Sequence, residues 1–272
     1  NKMLKDKRFL ELVDYENSSE VFSGVDIAGG ICYFLWDRDY NGNCKITNVV
    51  NGEKITSNRS LDEFEIFIRH SKSVPIIKKI QTAESTNLFL NKVVSPRRPF
   101  GLPSTYNPLT KGVPCYFTQK IGLKYANTND VIDPLKIIDK WKLLIPFAPI
   151  AGQTDFSKPV GFYYEGNIKL AKPGEVCTES YLVAYASSSK ESVLSFKSYL
   201  LTKTVRFLLL QTVVSQNVTR ERFMFIPHLK KYEGVYSDEI LCKRWSISND
   251  EWQFIDSKIK NIGANDRIDD DE

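Results

Sequence analysis

The sequence predicts an α+β fold in which short strands outnumber helices. Compact apolar runs such as "ICYFLWD", "CKITNVV" and "WKLLIPF" recur, too short for surface helices. Gly, Pro and Asn punctuate them, and helix-start signals appear at only a few places. An aromatic content of 12% suits a strand-rich fold with broad contact surfaces, and 272 residues can bury one large core or two modest ones.

Taken in order, the chain starts at Asn1 without an initiator methionine and reads as a cut piece of something longer. Leu4, Phe9 and Leu12 read as a helix end feeding a short strand. Ile31 to Trp36 is so continuously apolar that it predicts a strand covered on both faces. Gly29-Gly30 precedes that strand rather than a helix, so the pair is not a phosphate loop. It predicts a bulge or a close backbone approach at a strand start. Asn41-Gly42 predicts a tight hairpin between this strand and "CKITNVV", and Asn51-Gly52 offers a second turn. Ser60 with Glu63 reads as a capping box opening a helix with Leu61, Phe64 and Ile68 on one face.

"NKVVSPRRPFGLPSTYNP" holds four prolines and two adjacent arginines and predicts a loop ordered on its own or by a partner. Strands follow at "VPCYFTQ" and "IGLKYA", then a short helix begun by Asp133-Pro134, then the strand "WKLLIPF". More strand is expected around 160–170 and at "ESYLVAYA". A long helix is expected over roughly 190–212, packed on most sides, then a strand at "RFMFIP". Ser248 with Glu251 caps a terminal helix running to about Asn261, and the acidic "NDRIDDDE" forms a tail.

The net charge of +4 is concentrated in the body, because acids crowd the tail, and basic surface suits an anionic partner. Cys32, Cys44, Cys115, Cys177 and Cys242 are odd in number and scattered, which argues against a disulfide framework or zinc site and fits a reducing cytoplasm. "VLSFKSYLLTKTVRFLLLQTVV" is the best candidate span, but Lys197, Lys203 and Arg206 interrupt it, so no membrane segment is expected.

No catalytic constellation emerges. "NPLT" at Asn107 is superficially an Asn-Pro methylase motif, but Leu109 and Thr110 replace its second proline and ring, so it reads as a turn. His70 and His228 lack metal-ligand partners at useful spacing. Asp155 with Glu165 is the nearest approach to a Mg²⁺-holding nuclease pair, with Asn167 where a lysine should stand. Two basic stretches remain. Arg97 and Arg98 sit between Pro96 and Pro99, and Gln216, Asn217, Thr219, Arg220 and Arg222 follow the long helix. Arg reads guanine, Gln and Asn read adenine, and Thr and Arg hold phosphates, so both stretches are candidate DNA contacts.

"VDYENSSEVFSGVDIAGGICYFLWDRDYNG" resembles the end of the methylase domain in bacterial adenine-N6-specific DNA methyltransferases of type II restriction-modification systems. "SPRRPFGL", "WKLLIPFAPIAG", "KPGEVCTESYLVAY" and "KTVRFLLLQTVVSQNVTRERFMFIP" resemble successive blocks of that family's target-recognition region. The likeness covers roughly residues 4–260. It implies S-adenosylmethionine-dependent methylation of adenine in double-stranded DNA. It further implies that residues 21–50 are the antiparallel hairpin closing a Rossmann-like sheet, with residues 1–50 a methylase remnant. Residues 51–260 would form a mixed α/β target-recognition domain, and 261–272 the tail. Phe22 falls where the family places an aromatic against the flipped base. The family's Gly-rich cofactor loop and Asn-Pro-Pro-aromatic motif are both lacking. The piece is therefore expected to hold no cofactor and no catalytic residue of its own, to bind duplex DNA, and to work with the rest of the methyltransferase chain. Two other expectations stay open: a Mg²⁺-dependent restriction endonuclease domain, and a protein-interaction module docking through the long helix and aromatic surface.

Overall fold

The computed structural model describes residues 2–24, 27, 29–86, 88–150, 157–213 and 215–262. Asp155 and most of the acidic tail lie outside these residues. The fold is mixed α+β, as the sequence predicts, with three small open sheets and five α-helices among the described residues.

The first sheet is built from β1 (Phe9–Tyr15), β2 (Ile31–Trp36), β3 (Cys44–Val50) and β4 (Glu53–Arg59), in the order β2-β1-β3-β4. Here Asn41-Gly42 does not make the expected hairpin. β1 lies between β2 and β3, pairing antiparallel with the first and parallel with the second. The Asn-Gly signal is local and carries no information on which strand arrives in between. Asn51-Gly52 does turn β3 into β4, with φ of 50° and 80° as a primed turn requires. The sheet thus continues past residue 50 to Arg59.

β2 is not covered on both faces: it is an edge strand, and Cys32 to Trp36 are all exposed. An unbroken apolar run looks the same in sequence whether its cover is present or missing. The sheet's own core, Phe9, Cys44, Ile46 and Leu61, sits over β1 and β3 and stops short of the edge.

No helix forms over 60–68. Ser60 Oγ is bonded to Asp62 and Lys7 rather than to the amide of Glu63, so the capping box never closes. Leu61 and Ile68 are buried in an irregular segment against the sheet. The helix comes later, as α1 (Ser73–Ala83), with Pro75 in its first turn, where its missing N–H costs nothing.

β5 (Val113–Tyr116), β6 (Leu123–Ala126), β7 (Trp141–Pro146), β8 (Lys169–Ala171), β9 (Val176–Cys177) and β10 (Tyr181–Ser187) form the other two sheets, β6-β5-β9 and β10-β7-β8. Asp133 opens no helix. Its carboxylate accepts the amides of Ile137 and Ile138 at 3.0 and 2.9 Å and closes a turn instead.

The long helix is two. α2 (Lys190–Leu201) ends at Thr202, whose ψ of 148° breaks the spiral, and the same residue caps α3 (Lys203–Leu210). Asp238 accepts the amides of Lys203 and Thr204 at 3.0 and 2.8 Å, satisfying the first turn of α3 from outside. Periodicity survives such a kink, so the sequence does not reveal it. Residues 222–227 are not a strand: Arg220–Phe223 is a 3-10 turn, and only Pro227 makes a bridge, to Phe89. α4 (Asp238–Arg244) precedes α5 (Asn249–Lys258), which carries the expected Ser248–Glu251 capping box. The main core gathers α1, β7, β10 and α2 to α5 around Phe196, Tyr199, Phe207 and Trp245.

Candidate nucleic-acid interface

The proline-bracketed loop is fixed at both ends. Ser95 exchanges two bonds of 2.9 Å with Val183 on β10, N–H to carbonyl and N–H to Oγ. Phe100 and Leu102 plug into the core of the small sheets. Arg98 takes a φ of 58° between these anchors, which turns its side chain outward. Arg97 and Arg98 then share one acceptor, with Nε atoms 3.2 and 2.5 Å from Glu179 Oε2, while both arginines stay about half exposed. Glu179 itself is buried. It also accepts the Ser104 amide and hydroxyl, at 3.1 and 3.2 Å.

Arg97 extends over the ring of Phe147, its guanidinium carbon 4.9 Å from the centroid. Phe147 follows β7, donates its N–H to Ser180 and accepts the N–H of Val218 at 2.8 Å. The second basic stretch therefore meets the first across this residue. Gln216, Asn217 and Arg220 are exposed there, and Thr219 is half-buried. Arg220 pairs with Glu221 at 3.1 Å, in a position open to solvent. Arg222 differs: its Nη1 donates to the Thr212 carbonyl at 2.8 Å, and Thr212 Oγ1 donates to the Arg222 carbonyl at 2.6 Å. Its guanidinium thus clamps the C-terminal end of α3.

Phe22 stands elsewhere, in the loop joining β1 to β2, and is 53% exposed beside the half-exposed Val21. Its N–H donates to Ser18 at 2.9 Å, and Glu20 receives the amides of Asn51 and Gly52 at 3.2 and 2.8 Å. These bonds tie down the loop around Phe22, yet the ring is uncovered. Gly30, at the loop's exit, confirms the close backbone approach: a Cβ there would lie 2.1 Å from the Tyr15 carbonyl oxygen.

The histidines are structural in setting. His70 contacts the buried Glu16, and burial holds its imidazole well below the usual range. His228 Nδ1 lies 3.0 Å from Tyr232 Oη. Glu165 pairs with Lys197, and no group of three or more His, Cys, Asp or Glu among the described residues could hold a metal. The Asn107 segment is not the turn the sequence suggests: Asn107 and Pro108 are irregular, and Leu109 makes an isolated antiparallel bridge to Tyr125, donating its N–H at 2.9 Å.

Sequence reasoning misses three features. Glu179 gives no signal, because a single acid before a strand is unremarkable. Phe147 reads as one more core residue. The uncovered aromatic row Tyr33, Phe34 and Trp36 on β2 is visible as an apolar run but reads as interior. No helix among the described residues is long and apolar enough to cross a membrane. Compared with known proteins, the chain matches no family model, and no curated protein matches it.

Proposed function

We propose that this chain is the DNA target-recognition part of a site-specific adenine-N6 DNA methyltransferase of a restriction-modification system, acting in the cytoplasm on double-stranded DNA. The observation that carries this reading is the meeting of the two basic stretches at Phe147. Loop arginines from one stretch, and amide, hydroxyl and arginine side chains from the other, present phosphate-holding and base-reading groups on one surface.

Two further features support it. β2 presents a six-residue strand with no charge and no proline, apolar on both faces and unpaired along one edge among the described residues. Proteins ordinarily blunt such edges, and an unblunted one is a template for another strand. The methylase half of the enzyme would supply that strand and, with it, the Rossmann-like sheet, the S-adenosylmethionine site and the catalytic motif. Phe22 then lies in the loop that leads from β1 to the same strand, with its ring free to stack on an extruded adenine.

Binding to a fluorescent duplex, titrated with salt, tests the reading. Arg97→Ala and Arg220→Ala remove exposed cations while Arg98 still neutralises Glu179. Each should weaken binding on every sequence and flatten the log K against log salt slope by about 0.9 for each phosphate that is no longer neutralised. Failure of the folded chain to bind duplex in dilute salt would overturn it.

A further inference from the structure

The loop bearing Phe22 and the segment at 215–222 belong to different elements, yet polar contacts linked through α5 and α3 join them. It begins at Glu16, the first residue after β1, whose side chain is only 1% exposed. Both of its carboxylate oxygens take the Lys258 ammonium, at 3.0 and 2.8 Å, and the His70 imidazole leans on the same carboxylate. Lys258 is the last residue of α5 and is 8% exposed. Two residues on, the Lys260 carbonyl accepts Arg206 Nη1 at 3.0 Å. Arg206 is buried in α3, and Phe207 beside it packs edge-on against Phe254 of α5 at 5.7 Å. The end of α3 is clamped by Arg222 through Thr212, and Arg222 closes the 215–222 segment.

An ion pair this deeply buried is a poor choice for stability alone. Desolvating two charges offsets most of their attraction, and such pairs are best attested as devices that fix register. Here the register is that of the Phe22 loop. Gly30 has no room for a side chain beside the Tyr15 and Glu16 carbonyls and Arg69, so both ends of the loop close on the same point. Arg69 reinforces it, bonding Asp14 at 2.6 and 2.9 Å and the Tyr15 carbonyl at 2.9 Å.

We infer that Glu16 and Lys258 are positioning residues: their ion pair registers the Phe22 loop against α5 and, through α5 and α3, against the DNA-facing segment 215–222. This rests on the DNA-recognition reading of that segment. Duplex engaged at 215–222 then orders the base-facing loop through the helices between them and the Glu16–Lys258 pair.

Hydrogen exchange of the whole chain, with and without a short duplex, tests the inference. In the wild type, duplex should slow exchange in both 215–222 and 17–24, the latter about tenfold, within the range of ordinary coupling energies. Lys258→Met should keep the slowing at 215–222 and lose it at 17–24, and Lys258→Arg should restore it. Because Lys258→Met strands a buried carboxylate, the Glu16→Gln/Lys258→Met pair removes both charges together and should uncouple the loop in the same way. Persistent slowing at 17–24 in that double variant would overturn the positioning role and leave DNA recognition standing. Exchange unaltered by duplex anywhere in the wild type would overturn both.

Discussion

Arg98 reaches Glu179 with its Nε 2.5 Å from Oε2, and that contact organises the whole proline-bracketed loop. Glu179 cannot move, because β10 starts two residues later and its own N–H is held by Leu102 at 2.9 Å. The loop therefore closes onto a fixed buried carboxylate, with both arginine side chains left about half exposed and Arg97 stacked on Phe147.

The first prediction follows from that carboxylate. The Arg98 hydrogen bond, followed by bonds from Ser104, lowers the Glu179 pKa to about 2 against the opposing effect of burial. A carboxyl group with a depressed folded pKa stabilises the fold fully above its unfolded value near 4.5, and that contribution fades as pH falls through about 2. Glu179→Gln should therefore melt below wild type at neutral pH. The gap should narrow progressively as pH falls below 4.5 toward 2. A gap independent of pH across that window would show that the pairing does not set the loop.

The second prediction separates adjacent glycines. Gly29 and Gly30 both have positive φ, 90° and 76°, but only Gly30 is crowded, with backbone oxygens 2.1 and 2.7 Å from the place a Cβ would occupy. Gly29→Ala should cost about 1–2 kcal/mol from left-handed backbone strain alone. Gly30→Ala must in addition displace Tyr15, Glu16 or Arg69, and should lower the melting temperature further and raise exchange in the Phe22 loop. Equal melting temperatures for the two variants would refute the close approach.

The two glycines also show what the sequence can convey. Their place before a strand, not before a helix, is enough to reject a phosphate loop and expect tight backbone approach. Capping at Ser248 and turning at Asn51-Gly52 are equally legible, because in each case the deciding contacts lie within a few residues. Where the deciding partner is distant, local signals mislead. Lys7, more than fifty positions away, takes Ser60 out of its capping box, and β1 slips between β2 and β3 despite Asn41-Gly42. The basic stretches are visible as composition. Their meeting at Phe147 is not, since it depends on one hydrogen bond from Val218 and one stacked arginine.

The third prediction concerns the open edge. Tyr33 and Leu35 point to one face of β2 and are 56% and 52% exposed, so neither is needed for folding of the chain as it stands. Leu35 lies opposite Glu11 on β1, where a lysine would find an opposite charge. Leu35→Lys should leave stability within about 0.5 kcal/mol of wild type. It should also reduce concentration-dependent self-association in sedimentation, since an edge lysine is the ordinary defence against strand addition. Severe destabilisation would mean that this face is packed rather than open.

The fourth prediction concerns Lys142, fully buried on β7 with its ammonium donating to the carbonyls of Ile138, Lys140 and Lys172 at 2.9, 2.6 and 3.0 Å. Two of those carbonyls keep a second donor, Gly174 N for Ile138 and Glu175 N for Lys172, so removing the ammonium orphans little beyond Lys140. Lys142→Met should accordingly cost only about 1–3 kcal/mol at neutral pH. Burial pulls the lysine down to about 8 from its ordinary 10.5, so between those values the unfolded chain binds more protons than the folded one. Stability arising from Lys142 must then rise with pH across that window. Buried tyrosines and cysteines push the other way in both proteins, so the quantity to follow is the difference between wild type and Lys142→Met. In urea titrations that difference should grow as pH rises from about 8 toward 10.5, and a constant or shrinking difference would show that the ammonium is not held in a desolvated site.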